Sequence, residues 1–116
     1  MKKISVLLLT LALSSGIVFA GIDGFKGNSI KKTSVAEALK MNDDTYVTVQ
    51  GNIVKKLSDD MYLFKDATGS MNVEIDKDKW KGVSADTKDL LELTGEVEKK
   101  YNSTKLDVDM VRKINN

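Results

Sequence analysis

The stretch Asp59-Asp60-Met61-Tyr62-Leu63-Phe64-Lys65-Asp66-Ala67-Thr68-Gly69-Ser70-Met71-Asn72-Val73-Glu74-Ile75-Asp76 decides the fold. Its two apolar-rich runs, 61–64 and 71–75, flank Asp66-Ala67-Thr68-Gly69, where an aspartate can bond its own backbone and a glycine can take a positive φ. That pattern predicts a β-hairpin. In the second run Met71, Val73 and Ile75 alternate with Asn72, Glu74 and Asp76, so one sheet face is buried and the other is polar and acidic. The adjacent Tyr62, Leu63 and Phe64 require both faces of the first run to be partly covered.

Working outward, residues 45–57 read as a long strand with Val47, Val49 and Ile53 on one face. Residues 89–99 give a fourth strand with Leu91, Leu93 and Val97 inward, and 104–114 a fifth with Leu106, Val108 and Met110 on one face. Gly51 and Gly95 each stand mid-strand, where a glycine marks a bulge or the sharp coil that a small barrel needs. Ser34-Val35-Ala36-Glu37 has capping-box spacing and starts a short helix. Its stripe of Val35, Ala38 and Leu39, with Met41 at the edge, suits a lid on the barrel end, and Asn42 suits a left-handed stop. Lys77-Asp78-Lys79-Trp80 reads as one helical turn closing on the single tryptophan. Trp80 can plug the barrel or offer a ring to a sugar or base; the tendency of large aromatics to be buried favours the plug. The expected architecture is all-β: a five-stranded Greek-key OB-fold barrel with a short N-terminal helix and a short helical turn between strands three and four.

The first twenty residues have a different character. Lys2 and Lys3 precede an aliphatic run over 4–13, and Val18-Phe19-Ala20 has small residues at both positions that a signal peptidase reads. Ser14, Ser15 and Gly16 interrupt the run before it reaches the ~20 residues needed to span a bilayer. The reading is a signal peptide over 1–20, a flexible lead-in over 21–32 with Phe25 set among glycines, and an OB-fold domain over 33–116. The expected location is the periplasm, with no membrane insertion after cleavage.

Composition narrows the chemistry. Without Lys2 and Lys3, 16 basic residues face 17 acidic ones, a net charge of −1. There is no His and no Cys, so Ser/His and Cys/His nucleophilic pairs, thiolate chemistry and His- or Cys-based metal sites are all excluded. Disulfide stapling is excluded too, and stability must come from a closed hydrophobic core. Arg112 is the only arginine, which leaves almost no bidentate clamp for phosphate. The expected outward residues Gln50, Asn52, Asn72, Glu74, Asp76, Glu92, Glu96, Asp107 and Asp109 would repel a nucleic acid backbone.

The carboxylates Asp43-Asp44, Asp59-Asp60 and Glu74/Asp76 could serve a glycosidase, which needs two such groups across a cleft. Alternate outward residues and Asp pairs beside turns are more often a solvated face or backbone caps, so no catalytic residue is assigned. The same oxygens could take a hard cation, but without an Asp-x-Asp-x-Asp-Gly loop such a site would be weak, and neither a dedicated metal site nor a cofactor is expected. OB-folds commonly bind on the outer face of strands two and three. The candidate ligand-binding set is Gln50, Asn52, Tyr62, Asn72, Glu74, Asp76 and Trp80. The expected partner is a small charged ligand or cationic peptide on the acidic face. The alternatives are an envelope glycan using Tyr62 and Trp80, or an envelope protein anchored by Phe25, Tyr46, Tyr62 or Tyr101.

Across all five expected strands the residues resemble a known family. Asp43-Asp44-Thr45-Tyr46-Val47-Thr48, Gly51-Asn52-Ile53, Tyr62-Leu63-Phe64-Lys65-Asp66-Ala67-Thr68-Gly69, Val73-Glu74-Ile75-Asp76, Trp80-Lys81-Gly82, Gly95-Glu96-Val97 and Leu106-Asp107-Val108 are similar to the bacterial OB-fold (BOF) family of YgiW/YdeI-type periplasmic proteins. The resemblance runs from about 33 to 113 and departs at Tyr101, where the family more often has Trp, and at Asp78, within a usually more basic run. The resemblance implies an exported OB-fold associated with tolerance of envelope stress, with no established enzymatic activity and a proposed role in binding small or charged ligands.

Overall fold

The computed structural model describes residues 30–114; the expected signal peptide, residues 21–29 of the lead-in and Phe25 lie outside the described residues. Eight elements follow in order: β1 (Lys31–Lys32), α1 (Val35–Ala38), β2 (Tyr46–Lys56), β3 (Met61–Asp66), β4 (Gly69–Glu74), α2 (Lys77–Trp80), β5 (Leu91–Lys100) and β6 (Ser103–Lys113). The strands lie in the order β1-β2-β3-β4-β6-β5, and β2 also pairs with β5, so the last five strands close into a barrel. Lys31 and Lys32, expected in the lead-in, pair in parallel with Val47 and Thr48.

The central hairpin has the expected register, Met61 opposite Glu74 through Asp66 opposite Gly69. Its turn is held differently from the sequence expectation. Among the described glycines only Gly82 has a positive φ, so Gly69 is an ordinary strand residue. The turn is instead held by the Asp66 carboxylate, which accepts from the Thr68 amide at 2.7 Å, the Thr68 hydroxyl at 2.6 Å and the Gly69 amide at 3.2 Å. A fourth bond to the Val35 amide, 2.9 Å, ties the turn to the start of α1. The capping box of α1 forms as expected from Ser34 and Glu37. Its stop is not Asn42: Leu39 caps the helix in a right-handed conformation, and the left-handed residue is Asp44, φ 71°.

Barrel closure depends on two close approaches. β2 pairs with β5 as far as Gly51 and with β3 from Asn52 onward, so the strand changes partners at the glycine. A β-carbon on Gly51 would sit 2.2 Å from the Lys65 carbonyl oxygen, and one on Gly95 would sit 2.2 Å from that of Asp107. Only glycine allows these strands to cross so closely. Inside lie Val47, Val49, Phe64, Met71, Val73, Ile75, Leu91, Leu93, Val97, Leu106 and Val108, with Val35 and Ala38 of α1 covering the core.

One inward assignment is corrected. The β5–β6 register shifts between Thr94 and Gly95, where Met110 and Val108 are the respective partners, leaving Asp109 as the extra residue of a bulge. One inserted residue reverses the phase of a strand. Met110 is therefore 58% exposed, and Val111 packs toward the core in its place.

Candidate functional site

The seven expected binding residues do not form one surface. Gln50 donates to Glu92 at 3.1 Å, and Asn52 donates to the Asp89 carbonyl at 2.8 Å, so both amides are engaged toward β5 and the segment leading into it. Tyr62 lies opposite Val73, a core residue, and therefore belongs to the inward set. It meets Trp80 edge to face, with centroids 5.8 Å apart and planes at 77°. Both rings pack half-buried against the core. Together with Ile53, Lys55, Lys56 and Ala85 they line a cavity of about 340 Å³ at the barrel end.

Asn72, Glu74 and Asp76 remain on the outside. Glu74 and Asp76 are joined by Asp60, and one carboxylate oxygen from each of the three lies within 4.8 Å of the others. The assembly follows from the hairpin: Met61 pairs with Glu74, which brings Asp60 beside the end of β4, and the Asp60 carbonyl accepts from the Ile75 amide at 2.8 Å. Asp76 stands at the N-cap of α2 with no capping bond from its side chain. Sequence reasoning paired Asp60 with Asp59; the hairpin register was the signal that could have joined it to Glu74.

Cations break up the acidic face. Lys105 bonds Glu74 at 2.5 Å and lies 3.6 Å from Glu98; Arg112 holds Glu92 at 2.7 Å; Lys79 lies 3.4 Å from Asp109. A row of carboxylates runs across β4, β6 and β5, where Glu74 lies opposite Asp107 and Asp107 opposite Glu96. Burial and the charges of Glu98, Glu74 and Asp109 push the Asp107 carboxyl up. Glu96 is raised by a side-chain hydrogen bond with Asp44, by burial and by its acidic neighbours. Next in the row, Tyr46 donates to Asp109 at 2.5 Å, and this bond is the main reason that its phenol is pushed up to about 12. By contrast Arg112 and Gln50 hold Glu92 below the usual carboxylate range.

With this geometry in view, the comparisons with known proteins agree. The bacterial OB fold (BOF) protein family matches residues 17–113. Protein YgiW of Escherichia coli K12 is 42% identical, with 99% of each chain covered. The calcium-regulated OB-fold protein CarO of Pseudomonas aeruginosa is 38% identical, with 93% of each covered. The solved structure of the hypothetical protein ygiW from E. coli superposes with a TM-score of 0.73 at 49% identity, covering 78% of this chain and 98% of that one.

Proposed function

This chain belongs to the bacterial OB-fold (BOF) family, and from that premise we propose that it is a periplasmic binding module without catalytic turnover, contributing to envelope stress tolerance by holding a small cation at Asp60, Glu74 and Asp76. The observation that carries the reading is the convergence of these three carboxylates, from β3's approach, β4 and the cap of α2, within 4.8 Å. Lys105 offsets only the charge of Glu74, so carboxylates at that spacing still carry excess negative charge, and a divalent cation with oxygen preference would relieve it by taking their oxygens as ligands. Calcium is the first cation to try, since one relative is described as calcium-regulated. The partial exposure of the cluster suits a weak site, with a Kd on the order of 0.1–1 mM as in extracellular calcium modules.

The test is a calcium titration of the 15N-labelled protein at low and high ionic strength. Amide shifts should centre on residues 60 and 74–76, weaken in high salt, and vanish in an Asp60→Asn, Glu74→Gln, Asp76→Asn variant. Saturable shifts that persist in that variant would rule the cluster out.

A second reading rests on the Tyr62–Trp80 cavity. An edge-to-face ring pair at the mouth of this cavity suits a neutral envelope glycan. Glycan binding should be lost in Trp80→Ala and remain nearly indifferent to salt.

A further inference from the structure

Away from both of these places, a second cavity lies between α2 and the outer face of β5 and β6. It measures about 250 Å³, and its lining includes Lys79, Lys81, Thr94, Met110 and Arg112. Its floor is a consequence of the bulge: because Asp109 is the extra residue, Met110 turns outward opposite Thr94 and stands 58% exposed. Bulges commonly re-aim a side chain beside a functional site.

The charges around this floor are not equivalent. Arg112 is taken by Glu92, and Lys79 by Asp109, whose second oxygen is held by the Tyr46 hydroxyl. Lys81 lines the same cavity and has no ion-pair partner among the described residues. Its backbone is left-handed, φ 46°, and Gly82 follows at φ 84°. A lysine thus occupies a position that glycine would take with less strain, and retained strain of this kind clusters at ligand clamps. Three cations against two carboxylates leave the lining with one uncompensated positive charge.

We propose that this cavity is a second binding site, for a small amphiphilic anion whose apolar chain lies on Met110 and whose carboxylate pairs with Lys81. The volume corresponds to on the order of eight non-hydrogen atoms at ~30 Å³ each. Hexanoate has that size and is the probe. For so few atoms on an open surface the expected Kd is on the order of 1 mM.

The experiment is an amide-shift titration of the 15N-labelled protein with hexanoate, hexylammonium and inorganic phosphate in parallel. Hexanoate should shift Lys81, Thr94 and Met110, and both controls should bind at least about fivefold more weakly. Lys81→Glu should weaken hexanoate at least about fivefold, with Lys81→Arg restoring it, since only the sign of an exposed charge differs. The Asp60→Asn, Glu74→Gln, Asp76→Asn variant should bind hexanoate like the wild type, so the two sites stand or fall separately. Equal binding of hexylammonium, equal binding of phosphate, unchanged affinity in Lys81→Glu, or shifts centred elsewhere would each overturn the proposal.

Discussion

The carboxylate of Asp66 accepts a hydrogen bond from the backbone amide of Val35 at 2.9 Å, joining the turn of the β3–β4 hairpin to the first turn of a helix 31 residues earlier. The neighbouring Thr68 hydroxyl accepts from the Ala36 amide at 3.0 Å. Two amides that a helix of this length cannot satisfy internally are thus met by the hairpin, and α1 is held on the barrel by polar contacts as well as by Val35 and Ala38.

Asp66→Ala should therefore destabilise the fold by about 1–3 kcal/mol, the usual cost of losing charge-assisted bonds to backbone donors. Burial pushes this carboxyl up, but the bonds from Thr68, Val35 and Gly69 outweigh it and hold it below the usual range. A depressed folded value contributes stability that is present above the unfolded value of about 3.9 and is lost as the pH falls through the folded one. Urea midpoints of wild type and variant should accordingly converge as the pH falls below about 4. A gap that stays constant into acid would mean that the charge of Asp66 is not what matters.

Gly51→Ala and Gly95→Ala should each cost about 1–3 kcal/mol, because the new β-carbon meets a backbone carbonyl oxygen at 2.2 Å and the backbone itself must shift. Gly69→Ala is the control: nothing lies within 4 Å of its β-carbon position and its φ is ordinary. Denaturant curves for the three variants test the crossing geometry. Equal stability of all three would contradict it.

The barrel was legible because period-two alternation runs through most of β2, β4 and β5 and the glycines fall where strands cross. The hairpin from Met61 to Glu74 carried the register, and with it the position of Asp60. The bulge at Asp109 was not legible, since Leu106, Val108 and Met110 continue the alternation and nothing local announces an extra residue. The split of the binding set was equally hidden. Alternation assigns Glu74 and Asp76 to the outside, but whether Lys105 or Arg112 stands next to an acid depends on parallel and antiparallel registers between distant strands. Asp44 rather than Asn42 takes the left-handed position because the chain turns into β2 only there, with its amide bound to the Val97 carbonyl at 2.7 Å.

The bulge also separates two neighbours. Met110→Ser should change stability by no more than about 0.5 kcal/mol, as for an exposed residue, whereas Val111→Ser should cost about 1–2 kcal/mol by exposing a gap at the core's edge. A regular strand would give the opposite order. Thermal or urea denaturation of the two variants decides between the phases.

Asp107 supplies a pH dependence of the other sign. Its carboxyl is raised by burial and by Glu98, Glu74 and Asp109, with Lys105 only partly offsetting them. A carboxyl whose folded value exceeds its unfolded one opposes folding while it is ionised, and that opposition fades as the pH falls through the folded value toward about 3.9. Asp107→Asn should therefore raise the urea midpoint at pH 7, and the advantage should shrink in acid until the two proteins coincide. Asp109→Asn should behave differently, because Asp109 is bound by Lys79 and the Tyr46 hydroxyl and loses favourable contacts when neutralised. If Asp107→Asn instead lowers the midpoint at pH 7, the nearby positive charge of Lys105 outweighs the crowding of carboxylates across β4, β6 and β5.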